Sequence, residues 1–109
     1  MWLFVSGGFV SIVAHRTRPE DVLVRARHPE HINALFPTAE IIHLPRADYP
    51  YRVTLPRSEV GAVVAAYVME MGYDNFKNSI QDVRYHDVCL DVWGTMWSYG
   101  REHRFRGGL

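Results

Sequence analysis

The chain is poor in several things at once: one cysteine, one lysine beside eleven arginines, no net charge and no Gly-rich phosphate fingerprint. Each scarcity excludes something. A lone Cys89 rules out an internal disulfide and any zinc site built from several cysteines, and it suits a reducing cytoplasm. Twelve basic residues against twelve acidic ones leave no whole-molecule field to draw in a polyanion, so nucleic-acid binding would need a local patch. The apolar opening Met1 to Ala14 lacks a basic leader, is broken by Gly7 and Gly8, and is too short for a bilayer, so neither a signal peptide nor a membrane span is expected. No G-x-S-x-G elbow, Walker loop or dinucleotide motif occurs, and no catalytic residue, metal ligand or cofactor is assigned.

What is present is a rhythm. Two short apolar strands and a helix occur over roughly residues 2 to 36, and again over roughly 40 to 71. Trp2 to Val5 and Phe9 to Arg16 form a hairpin across Ser6, Gly7 and Gly8; Val22 to Arg27 is the next strand, with Val22, Val24 and Ala26 inward and Arg25 and Arg27 outward. Pro29 suits a helix start, Ile32, Leu35 and Phe36 give it an apolar stripe, and Pro37 ends it. Glu40 to Leu44 and Tyr51 to Leu55 are strands joined by a proline-bearing loop. Ser58 is the expected cap of a helix that buries Val60, Val63, Val64, Tyr67, Val68 and Met71 and stops at Gly72.

After Gly72, Asp74 is the expected cap of a short helix to about Ile80, and a last helix from about Tyr85 to Tyr99 is expected to bury Cys89, Val92, Trp93 and Met96. The arginine-rich tail from Arg101 to Leu109 lacks an apolar period and is expected to fray. The fold class this implies is α+β: a two-layer sandwich of a mainly antiparallel sheet of about four strands with helices on one face, in one domain spanning residues 1 to 100.

The residues Trp2, Gly8, Phe9, Ser11, Ile12 and Val13, then Val24-Arg25-Ala26-Arg27, Ala47-Asp48-Tyr49, Tyr51-Arg52, Tyr73, Asn75-Phe76-Lys77, Val92-Trp93 and Met96, carry a resemblance. In order and spacing they resemble a group of short uncharacterised bacterial proteins with no established activity. The resemblance covers the chain to about Tyr99 and implies a shared fold. Val10 stands where that group usually has an aromatic residue, and the basic tail is an addition.

Three kinds of chemistry have candidate residues. His28 and His31, with His15, have part of a metal-ligand set, but exposed histidines at a helix start are the commoner reason for such spacing. His86 and Cys89 are three apart, yet the helical pattern makes Cys89 a core thiol. Arg16, Arg25, Arg27 and Arg52, with Tyr49 and Tyr51, are a candidate nucleic-acid face, because guanidinium and aromatic groups together hold phosphate and stack bases. Trp97, Tyr99, Arg101, Arg104 and Phe105 are a candidate protein-binding surface, rich in the residue types that dominate protein contacts. The leading expectation is a small non-enzymatic protein that binds another protein or complex, as a regulator or as an inhibitor of a larger host assembly of the kind mobile elements encode. The alternative is a nucleic-acid-binding or nuclease-like module. An enzyme using His43, Asp48, Tyr49 or the Tyr73 to Asn78 turn is a further alternative, and either a monomer or a homodimer is allowed.

Overall fold

The computed structural model describes residues 1–107, with side chains to residue 102. The order of elements is β1 (Trp2–Val5), β2 (Gly8–Ala14), β3 (Asp21–Ala26), α1 (Pro29–Leu35), β4 (Ile42–His43), β5 (Tyr51–Pro56), α2 (Arg57–Met69), a 3₁₀ turn (Lys77–Ser79) and α3 (Val83–Gly107). All strand pairs are antiparallel and the sheet order is β1-β2-β3-β5-β4, so the fold is α+β with five strands rather than about four. The chain separates into two compact units, Met1–Gly72 and a second beginning at Tyr73, where the sequence pattern suggests one.

Strand alternation builds the first unit. Ile12 lies opposite Val24, and Val24 opposite Val53, so these side chains share one sheet face. Ile32, Leu35 and Phe36 from the α1 region and Val60 from α2 complete the same core, in which Val10, Val24, Ala26 and Ile32 are fully buried. The two helices are tied by a hydrogen bond from the Tyr67 hydroxyl to the Ala34 carbonyl, 3.0 Å. Burial of Val, Ile or Leu side chains contributes about 1.5–3 kcal/mol each, so this face supplies the main stabilisation of the unit.

Gly7 and Gly8 are needed because α1 packs close to the β1–β2 turn. A Cβ on Gly7 would lie 2.7 Å from that of Ala34, and one on Gly8 would collide with the His31 ring. His31 Nδ1 in turn accepts the Phe9 amide at 3.2 Å.

Several boundaries depart from expectation. Strand β2 ends at Ala14, and β4 has only two residues, because Pro45 and Pro50 flank the connection to β5. Ser58 sits inside the first turn of α2, whose N-cap is Pro56 with no side-chain bond. Between Glu59 and Glu70, α2 has no charged residue, and Val68 and Met69 are exposed, although the apolar period places Val68 inward.

In the second unit, the N-cap of the 3₁₀ turn is Phe76, not Asp74, and it makes no side-chain bond. Asn75 Oδ1 accepts the Asn78 amide at 3.2 Å, and Asp82 Oδ1 accepts the Tyr85 amide at 2.9 Å, which starts α3 two residues earlier than expected. The helix also continues past Tyr99 to Gly107. Of the four residues expected on its buried side, only Cys89 is buried; Val92, Trp93 and Met96 are exposed. Periodicity identified the stripe, but nothing in it specifies a cover. Among the described residues, no helix is long and apolar enough to cross a membrane.

Candidate functional site

The sheet face opposite the helices carries the first constellation. Arg25 and Arg52 lie directly opposite each other on β3 and β5, where like charges repel. Each is held by a local acceptor: Arg25 Nη2 donates to the Ser11 hydroxyl at 2.8 Å, and Arg52 Nη2 donates to the Tyr49 carbonyl at 3.2 Å. The Tyr49 ring is buried, with the Arg25 guanidinium 4.6 Å and the Arg27 guanidinium 4.3 Å from its centroid. Arg27 also reaches Asp48 at 2.9 Å, and that hydrogen bond holds its guanidinium above the ordinary arginine range. Phe9 approaches Tyr49 from β2, and Phe4 stacks on Phe9 at 4.5 Å.

This arrangement occupies the arginines with partners within the face itself, although the Arg27 side chain stays half exposed. Tyr49 has cations over it where a base would have to stack, and Arg27 is neutralised by Asp48. Tyr51 does not belong to this face at all: it pairs with Ala26, packs against the core, and stacks on His43 at 4.5 Å. Arg16 lies beyond the end of β2 in an exposed turn. Of the six residues proposed for nucleic acid, four converge (Arg25, Arg27, Arg52 and Tyr49), and they converge on one another. Ser11 and Asp48 anchor Arg25 and Arg27, a role that the sequence pattern does not assign to either. The alternation of β2 puts Ser11 on the arginine face, but only the strand register makes it the neighbour of Arg25.

The histidines serve the fold. His15 Nδ1 accepts the amides of Thr17 and Arg18 at 3.2 and 3.1 Å, closing the turn after β2, and His31 is engaged by the Phe9 amide. Among the described residues, no group of three or more His, Cys, Asp or Glu side chains is placed to hold a metal. Cys89 is buried and hydrogen-bonded with Tyr85, and burial pushes its thiol pKa up, opposite to what a nucleophile needs. His86 faces Asp87 at 3.2 Å. In the Tyr73 to Ser79 segment, side chains close the turn: the Ser79 hydroxyl donates to the Phe76 carbonyl at 2.5 Å.

The second constellation is α3. Its apolar residues Val92 (37 %), Trp93 (53 %), Met96 (58 %), Trp97 (51 %) and Tyr99 (64 %) are all exposed within two turns. Two rings have cationic neighbours: Lys77 Nζ is 5.0 Å from the Trp93 centroid and the Arg101 guanidinium 5.2 Å from that of Trp97. Such stacking fixes ring orientation while leaving the remaining ring surface in water. Arg104 and Phe105 lie further along the same helix, with side chains outside the described set.

No protein-family model, no curated protein and no solved structure matches the chain.

Proposed function

We propose that the chain works by binding another protein, with the outer part of α3 as the contact surface. The observation that carries this is the half-exposed Trp97 ring stacked on Arg101 and adjoining Met96 and Tyr99. Trp, Tyr and Arg dominate binding energy because they bury large areas for few rotatable bonds, and a ring already oriented by a cation loses little freedom on docking. The narrower readings, a regulator or an inhibitor of a larger assembly, are versions of the same proposal and depend on what is bound.

The test is affinity capture from a lysate of the source organism with the intact chain and with Trp97→Ala. One defined protein is expected with the intact chain, and its affinity should fall at least about thirtyfold in the variant, the effect of losing a contact worth about 2 kcal/mol. Capture that survives the substitution unchanged, or no capture above background, overturns the proposal.

A further inference from the structure

Trp2, Ser11, Arg25, Arg52 and Ile42 lie opposite one another on successive strands, so they form one row across the whole sheet. The row contains two adjoining cations and no acid. The Arg57 amide donates to the Glu20 carbonyl at 2.8 Å, just beyond the Asp21–Pro56 pair. Hydrogen-bonded and non-hydrogen-bonded positions alternate along an antiparallel pair, so counting from there puts Arg25 and Arg52 at a non-hydrogen-bonded one. Side chains at such a position are the closest that neighbouring strands offer, with Cα atoms about 4.5 Å apart. Like charges placed there repel unless something of opposite sign stands between them.

We infer that Arg25 and Arg52 together bind one dianionic oxyanion, such as the phosphate group of a small molecule. The site lies in the first unit and is independent of the reading of α3 as a contact surface. Three observations carry it. The first is uncompensated charge. Arg25 donates to the Ser11 hydroxyl and Arg52 to the Tyr49 carbonyl, both neutral acceptors, and neither guanidinium has an ion pair among the described residues.

The second is spare donors on side chains already held in place. A guanidinium presents five N–H groups in a planar fork, and Nη1 of Arg25 and of Arg52 has no acceptor among the described residues. Both side chains are half-buried, and Arg25 Nε is buried without a partner, so part of this charge has lost water and gained nothing in return. An oxyanion bridging the two outer nitrogens offsets that cost and the repulsion together, through charge-assisted hydrogen bonds. The third is confinement. Asp48 compensates Arg27 at 2.9 Å, Arg16 lies beyond the end of β2, and the adjoining row of Val13, Leu23 and Thr54 is uncharged. What remains is two neighbouring cations, which match the charge of one dianion and do not form a track for a polymer of phosphates.

The test is an NMR titration of the full ¹⁵N-labelled chain with inorganic phosphate, at mildly alkaline pH where it is a dianion, with ionic strength held constant by sodium chloride. The side-chain Nε–H signals of Arg25 and Arg52 should shift and saturate with a Kd of about 1 mM or tighter. Arg25→Gln and Arg52→Gln should each weaken binding at least about tenfold, whereas Arg16→Gln should leave it unchanged. Because Arg52 also holds the Tyr49 carbonyl, Arg52→Lys is measured beside it and should recover part of the affinity by restoring the charge. Shifts that do not saturate, or that persist unchanged in Arg25→Gln, overturn the inference. Acetate, with a single charge, should bind at least about tenfold more weakly than phosphate, and equal binding overturns the assignment of a dianion. A single-stranded oligonucleotide should gain no more than about tenfold over inorganic phosphate; a larger gain, steeply lost with salt, overturns the confinement to one group.

Discussion

Gly8 illustrates how a single residue can be legible for one reason and needed for another. Beside Gly7 it reads as hairpin punctuation, yet its tighter constraint is the His31 ring, which α1 brings against the turn and which binds the Phe9 amide. No spacing rule connects positions 8 and 31. Gly8→Ala must displace that ring and break its hydrogen bond, so it should destabilise the chain by about 1–3 kcal/mol in urea unfolding. If the variant is as stable as the parent, the close packing of α1 on the turn is not energetically important. The arginines obey the same logic. Their outward position on β3 is readable from alternation, but their partners Ser11, Asp48 and the Tyr49 ring become neighbours only through pairing and the return of the loop before β5. Arg25 Nε is buried and has no hydrogen-bond partner among the described residues, a cost borne by the cluster.

At the scale of elements, the strands and α1 were readable because a half-buried strand and a short proline-started helix each bury a face that the sequence must mark with apolar residues. Helix α3 was readable in type but not in surroundings: the same period describes a buried stripe and an exposed seam, and Trp93 and Met96 have the second fate. Its start at Val83 depends on Asp82, whose carboxylate accepts the Tyr85 amide. Asp82→Ala should therefore lower stability by about 1 kcal/mol and reduce helical ellipticity. The buried pair Tyr85 and Cys89 makes a pH prediction for the same helix. Burial raises both pKa values, so in the folded state both hydroxyl and thiol stay protonated where the unfolded chain would release protons. Stability should be level below about pH 9 and decline as pH rises through the unfolded values near 9 and 10. A melting temperature constant to pH 11 would contradict that, as would rapid reaction of native Cys89 with a thiol reagent at neutral pH.

For the molecule as a whole, the division at Gly72 is the consequential fact. The rhythm of strands and helices ends at that point, and among the described residues the elements beyond it are a 3₁₀ turn and one helix, with no strand to join the sheet. The end of the rhythm is one sign of a boundary that the sequence carries, and all six prolines lie before it. Every residue of the main hydrophobic core, from Leu3 to Tyr67, belongs to the first unit. Glu70 to Asn75 are all exposed and carry no regular structure, the features of a segment that proteases enter first. Brief digestion with chymotrypsin should therefore cut early after Tyr73. The released fragment should keep its sheet signature and unfold cooperatively, because five strands and two helices with a shared core meet the needs of a small domain. Loss of that signature on cleavage would mean that the first unit draws its stability from α3. If the fragment holds, the sheet and its core are stable without α3, and the exposed aromatic residues of α3 are not there to support them.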